Sequence, residues 1–113
     1  MRVAVIGSRT FSDYEFLKET LSHIYITEMI SGGALGADQL AEKYAKEKNI
    51  PIRIIPHTVL NDIPDLSRTY SIISQAQVVI AFWDGKSQGT CDLVKYAQKV
   101  GKPVSIKNFR PSS

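Results

Sequence analysis

The sequence predicts a doubly wound α/β fold, a single five-stranded parallel sheet with helices on both faces. Three observations point there. Short apolar runs alternate with segments whose apolar residues recur every three or four positions, in the order β-α-β-α-β-α-β-α-β. The strand runs are unbroken rather than alternating, as burial on both faces of a parallel sheet requires. Glycines gather where the first, second and fourth strands give way to helices. At 113 residues, 43% hydrophobic and 22% charged, the chain suits one globular domain spanning 1–113, with 109–113 expected to fray.

Val3 to Ile6 is an apolar run that ends at Gly7 and reads as the first strand. Gly7-Ser8-Arg9-Thr10-Phe11 is a polar connection. Ser12 and Glu15 have the spacing of a capping box, and Tyr14, Leu17, Leu21 and Ile24 line one face of the helix that follows. Thr27 to Ser31 fits a second strand, which runs into Ser31-Gly32-Gly33-Ala34-Leu35-Gly36-Ala37-Asp38. The next helix turns Ala37, Leu40, Ala41, Tyr44 and Ala45 inward, with Glu42, Lys43, Lys46 and Glu47 outward. Asn49 can end it, and Pro51 to Ile55 forms a third strand with proline at its start, where it is tolerated. After the looser segment Pro56 to Pro64, Asp65 is placed to cap a third helix carrying Leu66, Tyr70 and Ile73. Gln77 to Phe82 is the most strongly β-like run in the chain. Trp83 to Gly89 makes a second glycine loop. Thr90 then opens a helix with Leu93, Ala97 and Val100 inward, closed by Gly101, and Val104 to Ile106 supplies the fifth strand.

Composition narrows the classes of function. No apolar run approaches the roughly 18 residues of a membrane span, so no membrane partner is expected. Met1 to Gly7 has no signal-peptide cleavage pattern and reads as a strand, so a cytoplasmic protein is expected. A single cysteine excludes an internal disulfide, and His23 and His57 lack metal-ligand spacing; neither a metal nor another cofactor is expected. The formal charge of +3 suits an anionic small molecule as well as nucleic acid, because the lysines are scattered.

Sheets of this class bind ligands at the carboxyl ends of their strands, beside the point where strand order reverses. Three loops lie at such ends: Gly7–Phe11, Ser31–Asp38 and Trp83–Thr90. The second and third each feed a helix N-terminus, whose unpaired N–H groups and dipole favour an anion, most often phosphate. Gly32, Gly33, Gly36 and Gly89 permit close backbone approach, and the hydroxyls of Ser31, Ser87 and Thr90 add contacts to a phosphate and part of a sugar. Gly7, Ser8 and Arg9 complete the candidate set. Arg9 is either a bidentate phosphate contact or a surface arginine. Trp83 or Phe82 is placed to stack on a base, with core packing the default for Phe82. Asp38 reads first as a loop brace and second as a ribose acceptor. A set of bare βα turns is the alternative to all of this. Cys91, in a first helical turn, reads as a small buried hydrophobe before a reactive thiol.

Neither glycine loop is a standard nucleotide motif. Asp84-Gly85-Lys86-Ser87 lacks the upstream glycine of a P-loop, Ile80 standing in its place. Ser31 to Gly36 follows the second strand rather than the first, and no acidic residue closes the third strand to hold a ribose.

Together, Gly7-Ser8-Arg9 with Asp13, Ser31-Gly32-Gly33-Ala34-Leu35-Gly36-Ala37-Asp38, and Ala81-Phe82-Trp83-Asp84-Gly85-Lys86-Ser87-Gln88-Gly89-Thr90 resemble the YspA-like branch of the SLOG superfamily. That superfamily groups the Smf/DprA and Lonely Guy (LOG) proteins on a Rossmann-like fold. The resemblance runs through nearly the whole chain in order. It implies that the two glycine loops bind a nucleotide or nucleotide-derived ligand, in proteins mostly regarded as sensors or binders and often homo-oligomeric.

Two departures bear on mechanism. LOG enzymes cleave nucleoside monophosphates to a base and ribose phosphate and carry a Gly-Gly-x-Gly-Thr-x-x-Glu pattern. Here Gly89-Thr90 is present, Lys86-Ser87 replaces the glycine pair, and the glutamate position falls on Leu93. Asp92 lies one residue earlier, about 100° round a helix. Leu66-Ser67-Arg68-Thr69 also stands where the branch often has an Arg-Asn pair. Non-catalytic ligand binding is therefore the first expectation. A LOG-type phosphoribohydrolase with Asp92 or Asp38 as its carboxylate is the second. Single-stranded nucleic-acid binding, as in DprA, is the third; it needs a basic groove with aromatic platforms, and Trp83 and the scattered lysines are its support.

Overall fold

A computed structural model describes residues 1–32, 36–55 and 66–109, with residues 66–70 described by their backbone alone. Gly33, the segment Pro56 to Pro64, the Asp65 cap, the side chains of Leu66 and Tyr70, and the tail 110–113 lie outside the described residues. Strands β1 (Arg2–Gly7), β2 (Glu28–Ser31), β3 (Ile52–Ile54), β4 (Val78–Trp83) and β5 (Val104–Asn108) alternate with helices α1 (Tyr14–Ser22), α2 (Ala37–Glu47), α3 (Leu66–Gln75) and α4 (Gln88–Lys99). The strands form one parallel sheet in the order β3-β2-β1-β4-β5. β1 is central, pairing with β2 from Arg2↔Glu28 to Ala4↔Ile30 and with β4 from Val3↔Val78 to Gly7↔Phe82. The chain first winds outward through β2 and β3, then returns to the other side of β1. Strand order therefore reverses between β1 and β4.

Successive strand side chains point to opposite faces, and two core layers result. Val3, Val5, Met29, Ile80 and Phe82 join Phe11, Leu17 and Leu21 and the α2 residues Ala37, Ala41, Tyr44 and Ala45 in one layer. Ala4, Ile6, Ile30, Val79 and Ala81 meet Ile72 and Ile73 of α3 and Val94 and Ala97 of α4 in the other. The unbroken apolar runs of β1, β2 and β4 are thus explained by helices on both faces, the Rossmann-like arrangement. Each fully buried leucine or isoleucine contributes about 1.5–3 kcal/mol. Among the described residues, no helix is long and apolar enough to cross a membrane.

Five details differ from expectation. β3 and β5 are edge strands and partly exposed, with Ile54 and Ile106 reaching solvent. α1 is capped by Asp13, whose carboxylate accepts from Phe16 N–H at 3.1 Å, and not by Ser12; the helix starts one residue later than a Ser12 cap would set it. α4 starts at Gln88 with Ser87 as its N-cap, two residues before Thr90. Its buried stripe is Thr90, Val94 and Ala97; Leu93 packs half-buried at the flank, and Val100 is exposed beyond the last turn. Phe109, expected in the frayed tail, is anchored: its N–H donates to Trp83 O at 3.2 Å, and its ring meets Phe11 edge-on with centroids 4.8 Å apart.

Candidate ligand-binding site

The carboxyl ends of β1, β2 and β4 bring the three candidate loops to one edge of the sheet. Gly7 ends β1 where β4 and α2 press closest. A Cβ there would lie 2.5 Å from Phe82 O and 2.6 Å from Ala37 Cβ, so this position requires glycine. Gly36, the N-cap of α2, has φ +78°, and a side chain would collide with the carbonyls of Ser8 and Arg9. Ser8 joins the three elements: its N–H donates to Phe82 O at 2.9 Å, and its carbonyl accepts from Phe11 N–H at 3.1 Å and Ala37 N–H at 3.4 Å.

The β4–α4 loop is organised by a residue outside the predicted site, Asp84. Its Oδ1 accepts from the N–H groups of Lys86 and Ser87, both at 2.8 Å. Its Oδ2 lies within hydrogen-bond reach of Ser87 Oγ at 3.2 Å and of Thr10 Oγ1 at 3.3 Å. Its own N–H donates to Ser8 Oγ at 3.1 Å, and Ser8 Oγ and Ser87 Oγ are 2.9 Å apart. The Lys86 N–H foremost, with the Ser87 N–H and the serine hydroxyls, outweighs partial burial and lowers the carboxyl pKa to about 2. Asp84 is therefore ionised throughout the neutral range. Trp83, half-buried, donates its indole N–H to Ser87 O at 3.1 Å. An aspartate followed two and three residues later by N–H groups it can accept from is an Asx turn, and Asp84-Gly85-Lys86-Ser87 carries that signal in sequence. Its partners across the switch point, Ser8 and Thr10, carry none.

The remaining predicted residues fall as follows. Ser31 and Gly32 are buried at the end of β2, with Ser31 O accepting from Ile55 N–H at 2.8 Å. Asp38 is buried in the first turn of α2, and Thr90 is buried on the inner side of α4. Arg9 is exposed on the first loop. Gly89 is exposed in the first turn of α4, with open space where a Cβ would stand. Phe82 stacks on Phe11 with centroids 4.7 Å apart, which leaves Trp83 as the aromatic at the edge. Asp92 is exposed and accepts from Gln88 Nε2 at 2.8 Å, one helical turn back on its own surface. Cys91 is half-buried.

Helix N-termini at this edge are not equivalent. α1 is capped by Asp13, whereas the N-cap residues of α2 and α4, Gly36 and Ser87, accept no side-chain hydrogen bond from the helices they open. Both dipole ends face the same sheet edge; the Ala37 N–H of α2 is taken by Ser8 O, and the Asp84 carboxylate accepts from the Ser87 N–H that leads into α4.

Residues 1–58 match the family model YAcAr, described as the YspA, cpYpsA-related SLOG family. The matched stretch runs through β1, α1, β2, α2 and β3 and includes the first two of the three loops. No curated protein and no solved structure matches the chain.

Proposed function

Because the chain belongs to the YspA, cpYpsA-related SLOG family, we propose that it binds a nucleotide or nucleotide-derived small molecule at the β1–β4 switch point and does not cleave it. The observation that carries this reading is the pair of helix N-termini, α2 and α4, that open onto one sheet edge with N-cap residues whose side chains make no cap hydrogen bond. Their N–H groups are suited to phosphate, and Trp83 at the same edge offers a face to a base. The preference for binding over hydrolysis rests on the carboxylates. A general acid or base works best with a pKa near the operating pH, and Asp84 is held far below it. Asp92 is turned to solvent and engaged with Gln88, and the position that LOG enzymes fill with glutamate is Leu93, packed against the second core layer.

Trp83 is the single tryptophan of the chain and so reports on this site by its fluorescence. Titration with 5′-AMP, ADP-ribose and inorganic phosphate should give a saturable change for at least one of them. At a hundred times its dissociation constant that compound should stabilise the fold by about 2.7 kcal/mol. Gly89→Glu, whose Cβ meets nothing within 4 Å and whose charge suits a helix start, should keep the fold and abolish the response. Silence with all three compounds would remove the reading. Release of free adenine from 5′-AMP would replace it with the LOG-type reaction.

A further inference from the structure

We propose that Asp84 is the positioning residue of this site: with Ser8 and Ser87 it closes a hydrogen-bond ring that makes the β1–α1 and β4–α4 loops one rigid wall beneath the ligand. The inference rests on the ligand-binding reading above for its consequence, but not for the ring itself. The ring follows from counting protons. Ser87 Oγ stands 2.9 Å from Ser8 Oγ and 3.2 Å from Asp84 Oδ2 and has one proton to give. Ser8 Oγ already accepts from Asp84 N–H. An ionised carboxylate can only accept, so two serine protons serve three oxygens in one of two senses: Ser87 gives to Asp84 Oδ2 and Ser8 to Ser87, or Ser87 gives to Ser8 and Ser8 to the carboxylate. In both senses the two serines hold each other, Ser8 accepts from Asp84 N–H, and a hydroxyl proton ends on the Asp84 carboxylate. Each bond polarises the next, and the last is charge-assisted.

Two consequences follow. The hydroxyl protons of Ser8 and Ser87 are spent inside the protein, and Ser8 is only 1% exposed. Neither serine donates to a phosphate; the backbone N–H groups that open α4 do so instead. The start of α4 is also fixed to a loop more than 70 residues away in sequence, by the ring and by the outer bond from Thr10. Asp84 thus acts on ligand affinity through the position of that helix end and without touching the ligand.

The test compares wild type, Asp84→Ala, Asp84→Asn and Thr10→Val in three measurements. These are amide hydrogen exchange at Lys86 and Ser87 without ligand, Trp83 emission, and the dissociation constant for 5′-AMP. Loss of hydrogen bonds to a charged group should make Asp84→Ala exchange about tenfold faster at both amides and bind 5′-AMP about tenfold more weakly, with a red shift of Trp83. Asp84→Asn keeps an oxygen for the two amides but presents an N–H₂ to Ser87, which weakens the ring. Its exchange should stay close to wild type, and its affinity should fall between wild type and Asp84→Ala. Should Asp84→Ala fail to fold, Asp84→Asn and Thr10→Val carry the comparison, each with weakened 5′-AMP binding and a folded core. Unchanged exchange in a folded Asp84→Ala protein would overturn the ring, and unchanged 5′-AMP affinity in both Asp84→Asn and Thr10→Val would overturn the positioning role. Faster exchange with unchanged affinity would reduce Asp84 to a structural role. Protected amides in a wild-type protein that binds no 5′-AMP would overturn the positioning role while leaving the ring intact, so the two failures are told apart.

Discussion

The same chemical change, glycine to alanine, should have opposite effects at Gly7 and Gly89. At Gly7 the added methyl would stand 2.5 Å from Phe82 O and 2.6 Å from Ala37 Cβ. Ordinary contacts between such atoms are about 3.5–4 Å, so β4 or α2 must retreat by about 1 Å. Neither is free to do so: Phe82 O accepts from Ser8 N–H, and Ala37 begins a helix buried against β1. Overpacking of this kind costs about 3 kcal/mol, the upper part of its usual range. At about 4 °C per kcal/mol for a domain of this size, Tm should fall by about 12 °C. At Gly89 the methyl meets nothing within 4 Å, and the residue lies in the first turn of α4. Removing the backbone entropy of glycine from a helix should stabilise by about 0.5–1 kcal/mol and raise Tm by about 2–4 °C. Thermal unfolding followed by circular dichroism measures both. A Gly7→Ala protein with the Tm of wild type would refute the packing argument at the end of β1. A Gly89→Ala protein less stable than wild type would refute the claim that this glycine has no role in the fold itself.

Two further outcomes are expected. Asp13→Ala should cost about 1 kcal/mol through loss of the α1 cap, whereas Ser12→Ala should fall within about 0.5 kcal/mol of wild type, both read from urea midpoints. The Asp84 pKa is depressed by the N–H of Lys86 and its other donors, from 3.8 to about 2. Its stabilisation is therefore complete above the ordinary carboxylate range and lost as pH falls through about 2. Unfolding free energies taken at steps from pH 5 to 2 should decline for wild type, and the Asp84→Asn curve should be flatter over that interval. Parallel curves would show that Asp84 gains nothing from its donors.

Much of the fold was legible because burial on both faces writes itself into composition: Val3 to Ile6 and Val78 to Phe82 leave no polar gap to be solvated. What sequence could not rank were near-equivalent local choices. Ser12 and Asp13 are adjacent and both able to cap; the turn from Ser8 to Phe11, closed by the Phe11 N–H, sets the path that selects Asp13. On α4, Leu93-Ala97-Val100 and Thr90-Val94-Ala97 are equally good helical stripes, and the sheet beneath takes the one with smaller side chains. The loops of the candidate site were legible from their glycines. The Asx turn at Asp84 is written in sequence too, but its tie to Ser8 and Thr10 is not, because these partners are 76 and 74 residues away and only the sheet brings them near.

A sheet in which every strand runs the same way sorts its turns between two edges. The edge opposite the candidate site carries Tyr25, 83% exposed, and Gly101, whose φ of +81° ends α4 in open space. Nothing at that edge takes part in the Asp84 ring or in the starts of α2 and α4. It therefore serves as a handle. A fluorophore coupled at Tyr25→Cys, or a surface linkage inserted after Gly101, would hold the molecule by its back and leave the edge of the candidate site facing solution. With Cys91→Ala to leave one reactive thiol, the same small domain becomes an orientable probe.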